Sequence, residues 1–552
     1  MKLPTFPTAF VAFLVLLILC SVQAATAQGS HDHRGDDQAL GRVTFPVSCS
    51  QQAQTQFNRA VAWMHSFEYE EAEKAFAAIA AAEPQCGMAY WGIAMSYYHP
   101  IWAPPSAAEL QKGRDAIEKA KSVGSKTQRE SDYIAVIQTF YAESDKVGHR
   151  VRTLAYSEAM GQLHASYPAD NEAAVFYALT LIAKGMISGD KSYVNEKKAA
   201  EILNRILKSE PLHPGVTHYL IHGYDYPALA HLALPAARSY AKLAPASAHA
   251  QHMPSHIFTR LGLWQEAIGS NIDARTSAKA YAVRHKMPGA WDEQLHAMDY
   301  LAYAYLQGAQ DNQALAVLEE LKTIRRVDPP NFKVAYSVTA IPARYALERR
   351  QWADAAKMPM PANMEGFPWQ NFRWAEAHIH FARAIGAART GDIVSLRQSV
   401  EKLAGIRQAL LEVNGDYDWG RQVEIERQIA SAWLAYATGN HEESVKLMKA
   451  VAKLDEATEK HPVTPGAILP AREQLGELLL ELKQPAAALK EFENGLRNTP
   501  NRFNAIYGAA RSAKSLGNRK KAIAYYGNLV DLCRLADTSR PEIKEAKEFL
   551  GH

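Results

Sequence analysis

The chain has 552 residues, 48% hydrophobic and 22% charged, and its 61 basic and 58 acidic side chains leave a net charge of +3. That composition excludes wholesale disorder, and the near-neutral balance offers no electrostatic argument for a nucleic-acid partner or an anionic membrane surface. Four cysteines are too few for a disulfide-built scaffold or a cysteine-rich zinc module.

The first element is an address. Lys2 precedes an apolar run from Ala9 to Cys20, and Ala25-Thr26-Ala27 follows as a small-x-small cleavage signal, so residues 1–27 read as a secretory signal peptide. The run is shorter than the roughly 20 residues a bilayer span needs. No other stretch is long and apolar enough to span, so the mature chain is expected to be exported, periplasmic or secreted. Cys20 lacks the small residue that a lipoprotein signal places before it. Residues 28–48, with His31 and His33, read as a mobile solvated arm. In an oxidising compartment Cys49 and Cys86 are candidates for a disulfide across one helix pair, with Cys533 a buried free thiol.

Beyond Ser48 the pattern is helical. Ala60, Ala72, Phe76 and Pro84 stand at intervals of twelve, four and eight, and Gly476, Ala488, Phe492 and Pro500 repeat them. Leu261-Gly262-x-Trp264-x-Glu266-Ala267 and Leu516-Gly517…Ala522 share a local shape. This spacing resembles the tetratricopeptide repeat family, whose unit is a helix-turn-helix of 34 residues. The resemblance implies an all-α, right-handed superhelical solenoid of antiparallel helix pairs, about a dozen of them, each burying its apolar face on its neighbours. Small residues (Ala60, Ser255, Gly476) mark where a first helix touches its partner closely, and prolines (Pro84, Pro245, Pro500) end the second helix. We expect an N-terminal array with the candidate site over 49–326, a degenerate helical segment over 327–420, and a C-terminal array over 421–552. Pro104-Pro105 and the stretch 358–369 break the pattern as loops or seams.

The histidines are uneven. Of 20 in the chain, His213, His218, His222, His231, His249, His252 and His256 crowd one short stretch. Taking Pro245 as repeat position 32 puts His218 and His222 at positions 5 and 9, and His252 and His256 at the same positions one repeat later. Each pair is i, i+4 and shares a helix face. His249 falls at position 2; in the next repeat His296 falls at position 2 and Asp299 at position 5. The resemblance implies that these positions line the concave groove. His218, His222, His249, His252, His256, His296 and Asp299 are therefore the candidate ligands of a transition metal ion, copper, zinc or iron, since imidazole suits all three. Tyr219, Tyr224, Tyr226, Tyr300 and Tyr303 are candidate hydrogen-bond partners. Pro254 interrupts the second pair, and a helix starting near Met253 would leave His249 and His252 in the preceding turn.

Competing accounts of the cluster are a neutral polar network, a pH-sensitive peptide groove, and duplication of a repeat, although duplication does not explain His249 or His296. His65, at groove position 13, and His99, beside Trp102, form a weaker set that lines the same channel or simply packs. His378 and His380 alternate by two and do not share a face. His164, His285, His441 and His461 read as packed or surface residues. No Gly-x-Ser-x-Gly elbow, phosphate-cradling loop or dinucleotide fingerprint is present, and Tyr219 stands where a zincin would need its general-base Glu. Two functions remain: an exported metalloprotein, with oxidation or hydrolysis as its chemistry if it is an enzyme, and an interaction scaffold holding a protein or peptide in the groove.

Overall fold

The computed structural model describes residues 1, 40–361, 364–413, 415 and 417–551. The expected signal peptide, His31, His33 and most of the expected arm lie outside the described residues. Their regular structure is helical, apart from one parallel pairing of Ala290-Trp291 with Val327-Asp328, and turns and loops join the helices. Consecutive helices pack on one another down the chain, which gives a tetratricopeptide-like helical solenoid.

The repeat spacing has a visible packing cause. Helix Gln51–His65 is capped by the Ser50 side chain, which accepts from the Ala53 N–H, and it buries Phe57, Ala60, Val61 and Met64 at helical intervals. Helix Tyr69–Ala82 buries Ala72, Phe76, Ile79 and Ala80 against it. The Phe76 ring then presses on the next helix so closely that a Cβ at Gly92 would lie 2.3 Å from it. Phe492 repeats the arrangement: Cβ atoms at Gly476 and Gly508 would lie 2.7 and 2.2 Å from its ring. An aromatic wedge between two side-chain-free backbones is what the small-aromatic spacing encodes.

Pro254 splits the histidine helix without bending its face away. Helix Ala248–His252 is capped by Ser247, Met253 keeps helical dihedrals (φ −52°, ψ −38°), and Pro254 opens helix Pro254–Arg260 in its first turn. His249 and His252 are therefore helical, not in a preceding turn. Cys49 and Cys86 form a disulfide, with Cα atoms 5.4 Å apart, and Cys533 is a buried unpaired thiol.

The apolar core has two main bodies. One runs from Leu40 to Phe176; the other is continuous from Ala174 to Ala546. The core therefore divides near residue 175. The C-terminal hairpins return onto the central ones: the Trp264 indole N–H donates to the Asn501 carbonyl at 2.7 Å, and the Arg502 guanidinium donates to Glu348, Glu473 and Tyr303. A later segment also reaches the histidine region, where Lys460 donates to Asp225 at 3.1 Å. No helix among the described residues is long and apolar enough to cross a membrane.

Candidate metal centre

Helix Pro214–Gly223 starts with His213 as its cap, whose Nδ1 accepts from the Val216 N–H, and with Pro214 in its first turn. It presents His218 and His222 one turn apart. Helices Ala248–His252 and Pro254–Arg260 add His249, His252 and His256, and helix Asp292–Gln307 adds His296. All six imidazoles are buried. They fall into two groups, His218, His222, His249 and His252, His256, His296, in each of which the candidate ligand atoms lie within 4.8 Å of one another.

Hydrogen bonds behind the rings decide which nitrogens face inward. His218 Nδ1–H donates to the His65 carbonyl at 2.7 Å, which can only accept. His252 Nδ1–H donates to Asn271 Oδ1 at 2.7 Å, and the Asn271 amide is oriented by its own donation to the Ala267 carbonyl. His256 Nδ1–H donates to Asp225 Oδ2 at 3.0 Å. In a neutral ring this leaves Nε2 as a bare lone pair. Yet His252 Nε2 and His256 Nε2 stand 3.0 Å apart, and His222 Nε2 and His249 Nε2 approach the single lone pair of His218 Nε2 at 3.1 and 3.2 Å. The lone pairs of His252 and His256, facing at that distance, repel unless a cation lies between them. Two nitrogens about 2.0–2.1 Å from one tetrahedral ion stand roughly 3.3 Å apart, so the rings fit a shared transition ion.

Burial drives these rings toward the neutral state that ligation needs. It lowers His218 to about 3 and takes His222, His249, His252 and His296 well below the ordinary histidine value. His256 is lowered too, with Asp225 acting against the fall. The wall is aromatic. The Tyr240 ring stacks on His218 at 5.0 Å, Phe67 lies 4.4 Å from His218, Trp102 lies 5.3 Å from His222, and Tyr300 lies 4.6 Å from His252. The Tyr300 hydroxyl also reaches His256 Nε2 at 3.4 Å.

Asp299 departs from expectation. Its carboxylate is paired with Arg344, whose guanidinium also donates to the Tyr336 hydroxyl and the Gly466 carbonyl. Burial raises Asp299 to about 6 against the pull of Arg344. It is absent from both histidine groups.

The weaker set is divided as well. The His65 ring belongs to a third group with Glu172 and His213, but every ring nitrogen there is taken. His65 meets Tyr219 and Glu172 at 2.8 and 2.9 Å, and His213 meets the Val216 N–H and Glu172. His65 serves the centre only through its carbonyl. His99 packs on Tyr69 at 4.9 Å, and Trp102 of that set does line the site. His231 is exposed. His378 is buried with its Nδ1 at the Thr339 hydroxyl, and His461 stacks on Trp419 at 5.1 Å. Of the candidate tyrosines, Tyr219 and Tyr300 touch histidines, whereas Tyr226 bonds Glu196 and Tyr303 accepts from Arg502.

Sequence reasoning missed Asp225, Asn271 and Lys460. Asp225 gathers His256, Arg260 at 2.8 Å and Lys460 at 3.1 Å. Burial raises its carboxyl, but Lys460 and Arg260 outweigh that and hold it well below the usual range. Only the short interval from His222 to Asp225 hinted at this role.

No family model matches the sequence, and no curated protein matches it. Solved structures similar to the chain include yeast Tom70, at 11% identity over 90% of this chain and 96% of that one, with a TM-score of 0.33. A human IFIT1 dimer with m7Gppp-AAAA is 12% identical over 92% and 100%, with a TM-score of 0.36. The P58(IPK) TPR domain is 14% identical over 68% and 97%, with a TM-score of 0.21. At such values the fold assignment rests on the hairpins themselves, and their wedge packing and register are those of a tetratricopeptide-like helical solenoid.

Proposed function

We propose that this chain binds a transition metal ion through its central imidazoles. The observation that supports this most is the approach of His252 Nε2 and His256 Nε2 to 3.0 Å while both Nδ1 atoms are committed as donors to Asn271 and Asp225. Zinc in this setting would supply Lewis acidity, and copper or iron would supply redox chemistry. The chain's own residues orient and insulate. Asn271, Asp225 and the His65 carbonyl fix tautomers, a second layer of contacts whose loss in metal sites typically costs 10–100-fold in affinity. Phe67, Trp102, Tyr240 and Tyr300 keep water from the rings.

We further infer an exported, oxidising location, supported by the signal-like order of Lys2, the apolar run and Ala25-Thr26-Ala27, and by the Cys49–Cys86 disulfide. The solenoid architecture favours a second reading, an interaction scaffold. Against it, the groove positions that would read a peptide are buried side chains closed over by aromatic rings.

Elemental analysis of the purified chain decides between them. Bound copper, zinc or iron, lost when His218, His222 and His256 become Ala, supports the metal reading. A chain that takes up none of the three on loading overturns it and leaves the scaffold.

A further inference from the structure

We propose that the centre holds two cuprous ions, one in each histidine triad, rather than one ion shared by six rings. The inference rests on the metal-binding reading above and deepens it.

The repeat itself generates the triad twice. His218 and His222 occupy positions 5 and 9 of one repeat, and His249 occupies position 2 of the next. His252 and His256 occupy positions 5 and 9 of that second repeat, and His296 occupies position 2 of the third. Each triad is thus one helix-turn pair of imidazoles completed by a single ring from the following first helix. The structure groups the six rings along this same division. The third repeat would begin another triad at Asp299 and Tyr303, but Arg344 takes the first and Arg502 the second. The series ends after two because the residues at the next ligand positions, Asp299 and Tyr303, are each taken by an arginine.

Distances agree with separate ions. Nitrogens on one ion at about 2.0–2.1 Å are never more than roughly 4.2 Å apart. Contacts of 3.1 and 3.2 Å hold His222 and His249 to His218, and one of 3.0 Å holds His252 to His256. The groups of three ligand atoms lying within 4.8 Å of one another fall inside the triads, and none among the described residues mixes the two. The triads are neighbours that keep distinct foci.

The donor set selects the ion. Six neutral nitrogens with no carboxylate among them suit copper, zinc, iron or nickel and not magnesium, calcium or manganese. Asp225 reaches the centre only through His256 Nδ1, and Asp299 is held by Arg344. Two dications would therefore face each other without an anionic ligand. Two cuprous ions carry half the charge each, so their mutual repulsion is a quarter as large.

The test is an anaerobic titration of the full metal-free chain with cuprous ion against a chromophoric cuprous chelator, with a parallel zinc arm. We expect two cuprous equivalents in the wild-type chain and one each in His249→Ala and His296→Ala, with circular dichroism unchanged. One equivalent in the wild-type chain overturns the pair while leaving the metal reading intact; none of either metal overturns both. Loss of both ions in His296→Ala, in a chain that still folds, overturns the independence of the triads. Two zinc equivalents without copper overturn the cuprous assignment. Should a variant fail to fold, the wild-type stoichiometry still decides for or against two ions.

Discussion

Replacing Asn271 by Ala tests whether the contacts behind the rings serve the centre. Asn271 touches no candidate ion; its Oδ1 accepts from His252 Nδ1 at 2.7 Å from a separate helix, Trp264–Arg284. Removal leaves a buried imidazole N–H without an acceptor, which costs the metal-free fold about 1–3 kcal/mol. It also frees the ring to place its proton on Nε2, the nitrogen facing His256. Loss of such a contact behind a ligating histidine typically lowers metal affinity 10–100-fold, or about 1.4–2.7 kcal/mol. The loss should fall on the ion held by His252, His256 and His296 and spare the triad of His218. Chelator competition gives the affinity, and urea unfolding of the metal-free chain gives the stability. If stability falls by the stated amount while affinity stays within about twofold of wild type, His252 is a packed polar residue and the tautomer argument is wrong.

Acid should destabilise the metal-free chain early. Burial lowers His218, His378 and His461 to about 3 in the folded state, so the unfolded chain takes up their protons first. Stability present above pH 6.5 is lost progressively as pH falls from there toward about 3, by up to about 1.4 kcal/mol per pH unit for each such histidine; urea unfolding at pH 7.5 and 5.5 should show the drop, and equal stabilities would refute it. Glu172→Ala should cost about 2–5 kcal/mol, because it strips the acceptor from two buried histidines, yet leave the bound metal unchanged, since His65 and His213 have every nitrogen occupied; a lost metal equivalent would place the third group among the ligand sites. Gly508→Ala drives a methyl to within 2.2 Å of the Phe492 ring and should lower stability by about 1–3 kcal/mol, whereas Gly527→Ala, with open space at its Cβ, should not; equal melting temperatures for the two variants would refute the wedge.

The sequence by itself determined the helical solenoid and the register of its histidines. Both are short-range properties: the wedge of Phe76 or Phe492 needs small residues at set intervals, and i, i+4 spacing puts His218 with His222 and His252 with His256 on one face whatever surrounds them. Even Pro254, which the pattern alone left ambiguous, falls at a helix first turn where its missing N–H costs nothing. What only the tertiary structure decided is which distant groups close around those faces. His218 is oriented by a carbonyl 153 residues away, Asp225 is held by a lysine 235 residues away, and Asp299 is claimed by an arginine 45 residues away. None of these partners repeats with the array, so periodicity carries no trace of them. Their meeting depends on how distant hairpins pack around the histidines, where burial leaves a charge or ring nitrogen no alternative but a protein partner or an ion.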